Sequence, residues 1–182
     1  MNKKLITLGL AVAFYSTAMH ASIFDWLCPW NWWKSSTELR WNDTVSQDTI
    51  DDSWGTWEVY FSNGKPGITQ EMFMAAVANG EYKTISIDDF LTLKVKNHRL
   101  DKYLNAKTAE EAYPIEDRPR NMKDIDAVNY FLQTKDAISP ITVARVHNET
   151  DNSITYIKLD GVHRLIAAAI KKSPIKILFI DL

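Results

Sequence analysis

The sequence predicts an α/β (α+β) fold, a small mixed sheet flanked by helices, and three observations predict it. Residues 154–159 are rich in β-branched and aromatic types, and Asp160-Gly161 then turns the chain into a stretch where Leu165, Ala168 and Ala169 share a helical face. Residues 175–180, Ile-Lys-Ile-Leu-Phe-Ile, are nearly all apolar, as in a strand covered on both faces. Residues 69–79 and 121–136 carry apolar side chains at helical spacing, so helices and strands are interleaved. Strands are expected near 57–61, 84–88, 141–146, 154–159 and 175–180, and helices near 69–79, 121–136 and 162–172.

In chain order, residues 1–21 read as a secretory signal peptide. Lys3 and Lys4 form a basic start, Leu5 to Tyr15 an apolar run too short to span a bilayer, and Ser16 to Ala21 a stretch with small residues for cleavage. An uncleaved membrane anchor is the alternative. The expected location is periplasmic or secreted. Cleavage removes two lysines and no acid, so the formal net charge of −2 becomes −4. The mature chain is long enough for one domain with its own core. Cys28 is the only cysteine, which excludes an intramolecular disulfide framework and a cysteine-based zinc cluster.

All seven tryptophans lie between Trp26 and Trp57. Residues 22–68 are expected to be a Trp-rich segment that packs on the domain formed by residues 69–182. A membrane interface or a protein partner is the other use for such aromatics. Trp54 to Phe61 alternates like a half-buried strand, and Ser62 to Gly67 punctuates it as a loop. Thr69 is placed to cap a helix with Met72, Phe73, Ala76 and Val77 on one face, ended by Asn79-Gly80. Met72 and Met74 are expected in the core. Lys83 to Ile87 alternates as a strand, and Asp88-Asp89 closes it as a turn.

Residues 91–120 hold the only concentration of basic side chains, interrupted by Pro114 and Pro119. Asn121 is placed to cap the next helix with Asp124 at its third position. Met122, Ile125, Val128 and Leu132 form that helix's expected buried stripe. The strand beginning after Ser139-Pro140 follows.

The turn Asp160-Gly161-Val162-His163-Arg164 carries the chemistry. Gly161 allows a positive φ or a close approach to the backbone, and the helix after it opens with unpaired N–H groups at the positive end of its dipole. His163 and Arg164 add a titratable donor and a planar cation, which suits phosphate oxygens. Arg164, in a first helical turn, is expected to face solvent. Asp160 has two open roles: it either caps the helix or points into the same pocket as His163 and Arg164.

Together with Ser139 to Arg145, Tyr156 to Leu159 and the closing strand, this box resembles the ParB/sulfiredoxin superfamily over residues 120–182. The resemblance is weaker over 83–119. It implies catalytic roles for Asp160, His163 and Arg164, and phosphate binding by Gly161, Val162 and Arg118, whose Arg118-Pro119 resembles an Arg-Pro before the corresponding helix of sulfiredoxins. It also implies an acidic partner from a neighbouring strand, with Glu81, Asp88 and Asp89 as candidates. Sulfiredoxin activity itself is excluded, because Val162 stands where the nucleophilic cysteine of that family would be. The chain ends at Leu182, so no helix-turn-helix DNA-binding domain is expected.

Two functions follow from the resemblance, and a third reading stands against both. The first is a nuclease or phosphodiesterase, as the name ParB-like nuclease for such domains implies. His163 would be general acid/base, Arg164 would stabilise charge, and Asp160 would bind Mg²⁺ or orient His163. The second is a nucleotide-binding ATPase or kinase-like protein, which needs ATP and hence delivery into a cytoplasm. The third is a catalytically silent domain that binds a partner through its Trp-rich face. Nucleic acid or a nucleotide phosphate is the expected ligand of the first two, although the acidic net charge weakens tight, sequence-independent nucleic-acid binding.

Overall fold

A computed structural model describes residues 38–60, 67–96, 100–114, 121–148 and 150–182, which belong to one unit, Glu38–Leu182. The expected signal peptide, Trp26 to Trp33, Cys28 and Arg118-Pro119 lie outside the described residues. So do His98, Arg99 and Arg120 of the basic stretch. Among the described residues no helix is long and apolar enough to cross a membrane.

In chain order the elements are α1 (Gln47–Tyr60), α2 (Gln70–Ala78), β1 (Glu81–Ile85), α3 (Ile87–Thr92), α4 (Leu100–Leu104), α5 (Ala109–Ala112), α6 (Asn121–Gln133), β2 (Ile141–His147), β3 (Ile154–Asp160), α7 (Val162–Lys171) and β4 (Ile175–Asp181). The four strands form one mixed sheet in the order β1-β4-β2-β3. β4 is antiparallel to β1 and parallel to β2, and β2 is antiparallel to β3. The apolar closing stretch therefore occupies an interior position. Ile175, Ile177 and Phe179 pack on one face with Phe90, Val128 and Leu165, while Leu178 and Ile180 pack on the other with Trp57 and Phe73. Helices α1 and α2 cover the second face and α3–α7 the first, which is why β4 has almost no polar position.

Several expectations are corrected. The strand near 57–61 is instead the end of helix α1, whose Ile50, Ser53, Trp54 and Trp57 recur at helical spacing toward the sheet. Trp57 is 1% exposed and Val59 is 65% exposed, whereas alternation would have put both on one face. Part of the Trp-rich segment, residues 38–60, is thus an integral layer of the fold: Leu39 is buried, and Trp41 donates from Nε1 to the Pro174 carbonyl at 3.0 Å.

Helix α2 forms as expected, with the Thr69 side chain accepting from the Met72 N–H, but only Phe73 is buried. Met72 is 51% exposed and Met74 is also exposed, so neither is a core residue. The strand near 84–88 ends at Ile85. Ser86 then caps α3 by accepting from the Asp89 N–H at 3.0 Å, which places Asp88 and Asp89 in a helical first turn rather than a strand-closing turn. In α6, Ile125 and Val128 are buried as expected, but Met122 is 57% exposed. Asn121 does not cap; its Nδ2 reaches back to the Pro114 carbonyl at 2.6 Å.

Candidate anion-binding cleft at the start of helix α7

Gly161 joins β3 to α7 with φ 98° and ψ 24°, a left-handed conformation that glycine adopts without penalty. A Cβ there would meet Ile141 Cγ1 at 3.0 Å and the Arg164 guanidinium at 3.2 Å. Glycine is required twice over, by the dihedral and by the close approach. No side chain caps the helix, so its first N–H groups and dipole are presented to a cleft of about 500 Å³. Gly161, Val162, His163 and Arg164 line this cleft together with Asp160.

The structure divides the five-residue box into two separate pairs. Asp160 Oδ2 accepts from Arg164 Nη2 at 2.5 Å, an i,i+4 ion pair across the turn. Arg164 is 9% exposed, not solvent-facing, and its Nη1 donates to Thr49 Oγ1 of α1 at 3.2 Å. Its Nε is buried with no hydrogen-bond partner among the described residues. The Asp160 N–H donates to Thr142 Oγ1 at 3.1 Å, and Thr142 meets Ser53 Oγ at 2.5 Å. Ser53 in turn donates to the Thr49 carbonyl at 2.6 Å. A buried hydroxyl chain from α1 and β2 thus locks the Asp160–Arg164 pair in place.

His163 has a different partner. Its Nε2 lies 3.0 Å from Asp124 Oδ1, in the first turn of α6, and both side chains are about one-third exposed. The imidazole packs on Tyr113 with ring centroids 5.8 Å apart, and Tyr113 packs on Tyr103 at 5.0 Å. Burial first, then the neighbouring Tyr103 and Asp124, push the Tyr113 phenol well above the usual tyrosine range. Tyr113 is therefore a neutral wall behind the imidazole.

Asp160 consequently does not orient His163. Its Oδ2 is committed to Arg164, and among the described residues no group of three or more His, Cys, Asp or Glu side chains is arranged to hold a metal ion. The expected acidic partners are elsewhere. Glu81 pairs with Lys83 and Arg145, each at 3.0 Å, and Asp89 accepts from Ser86 Oγ at 2.8 Å. Neither of these acids nor Asp88 lines the cleft. The acids that do line it are Asp48 and Asp52 of α1 and Asp136, besides Asp160.

Residues missed in the sequence are therefore Asp124, Thr49, Ser53 and Thr142, along with the acidic wall. Asp48 and Asp52 are one helical turn apart, a spacing visible once α1 is read as a helix. Asp124 carries no local signal, being 39 residues from His163. Lys158 is a further neighbour, half-buried two residues before Asp160 on β3; burial pulls its ammonium below the usual lysine range, opposed by Asp160 and reinforced by Arg164. Comparisons of the chain with protein families, with curated proteins and with solved structures find no match, so the reading of this cleft rests on its own geometry.

Proposed function

We propose that this protein is an exported, ParB/sulfiredoxin-like phosphate-binding domain that hydrolyses phosphodiesters. The observation that carries the reading is the His163–Asp124 pair at 3.0 Å beside an uncapped helix start that opens into a cleft. A phosphate group docks against the first N–H groups of α7, where the helix dipole favours negative charge. His163 takes a proton from a water molecule as its oxygen attacks phosphorus. The bond to the leaving oxygen breaks, and that oxygen takes up a proton. The backbone donors stabilise the charge that builds on the non-bridging oxygens. Hydrolysis consumes only water, which suits a protein acting in the periplasm or outside the cell.

One observation favours a second reading, a silent partner-binding domain. Arg164, the cation expected to hold phosphate, has its charge neutralised by Asp160. A single assay separates the two. The purified protein is incubated with bis(p-nitrophenyl) phosphate, and nitrophenolate release is followed. Turnover that falls about 10²- to 10⁴-fold in His163→Ala, with an unchanged circular dichroism spectrum, is the expected result. Absence of turnover in the parent protein would leave the silent reading.

A further inference from the structure

His163 and Asp124 each occupy the first turn of a helix, α7 and α6 respectively, and the two turns face each other across a 3.0 Å contact. The contact sets one ring nitrogen of His163, Nε2, directly against a carboxylate oxygen of Asp124. A neutral imidazole carries one ring proton, and an ionised carboxylate can only accept. The proton therefore belongs on Nε2, the nitrogen that faces Asp124. Nδ1, which has no partner among the described residues, is left with its lone pair.

The surroundings do not compete for that role. Tyr113 presents its ring to the imidazole, and its phenol stays protonated. Arg164, next on the same helix, is held by Asp160 and Thr49. Asp48, Asp52 and Asp136 lie in the cleft wall, and among the described residues the imidazole's hydrogen-bonding partner is Asp124.

We infer that Asp124 is the positioning residue of this site: it holds His163 as the Nε2–H tautomer and turns Nδ1 into the nitrogen that exchanges protons in the cleft. The catalytic consequence rests on the phosphodiesterase reading, but the tautomer does not. Nitrogen-15 NMR of the histidine-labelled full chain reads the tautomer directly, with the His163 signals assigned by their loss in His163→Ala. A ring proton on Nε2, hydrogen-bonded and slow to exchange with water, is expected in the parent protein. It should be lost to rapid exchange in Asp124→Ala and kept in Asp124→Asn, whose amide oxygen can still accept.

A ring proton on Nδ1, or a His163 spectrum that Asp124→Ala leaves unchanged, overturns the inference whether or not the protein is an enzyme. If the diester is hydrolysed, Asp124→Ala should lower kcat about 10- to 100-fold with KM little changed, and Asp124→Asn should recover part of that loss. Equal kcat in all three proteins would overturn the positioning role while leaving hydrolysis itself standing.

Discussion

Arg164 shows how a residue of recognisable type acquires its role from its partners. In the first turn of a helix an arginine ordinarily reaches into water, where removing it costs little fold stability. Here it is 9% exposed, paired with Asp160 and bonded to Thr49. Truncating one member of a buried ion pair leaves the other charge uncompensated, so Arg164→Ala should lower unfolding free energy by about 3 kcal/mol, measured by urea denaturation. A loss below about 0.5 kcal/mol would mean the side chain is as free as the local sequence implies. The box Asp160 to Arg164 was legible in the chain. That Asp160 would bind Arg164 and Asp124 would bind His163 was not, because the second pairing spans 39 residues and depends on how α6 docks against α7.

At the scale of elements, α1 is the instructive case. The run Trp54 to Phe61 fits both an alternating strand and, with Ile50 and Ser53 included, a helical stripe. Aromatic and β-branched residues tilt a short window toward strand. Sheet geometry decides otherwise, since the interior strands are already paired on both sides and the apolar face made by Leu159, Leu178 and Ile180 needs a cover. A helix carrying Trp57 supplies that cover. Trp57→Ala should therefore cost about 3–5 kcal/mol, whereas Val59→Ala should change stability by less than about 0.5 kcal/mol. Thermal denaturation of the two variants tests this, and comparable losses would favour a strand with both residues inward.

At the scale of the molecule, charge limits the partners of the cleft. The formal net charge is −2, and the cleft at the α7 start is also lined by Asp48, Asp52 and Asp136. Long nucleic acids bind mainly by neutralising phosphates with lysine and arginine, and among the described residues the arginine lining this cleft, Arg164, is already paired. The expected substrate is therefore a small phosphodiester rather than duplex DNA. In a gel-shift titration at low salt, a 30-base-pair duplex should show no complex at about micromolar protein, a range in which non-specific DNA binders begin to associate. A complex that weakens steeply with added salt would return a nuclease to first place.

By itself the sequence determined the mixed α/β class, four of the five expected strands at close to their observed positions, the helices α2, α6 and α7, and the glycine turn beneath the cleft. These follow from periodicity, β-branched content and backbone geometry, all of which act over a few neighbouring residues. Tertiary structure alone decided that α1 is a helix, that Met72 and Met122 are exposed, that Glu81, Asp88 and Asp89 stay away from the site, and that Asp124 is the acid beside His163. Each of those depends on which face meets another element. A local pattern specifies that a helix has an apolar side, but only packing against the sheet specifies which residues end up beneath it and which distant carboxylate lies across from it.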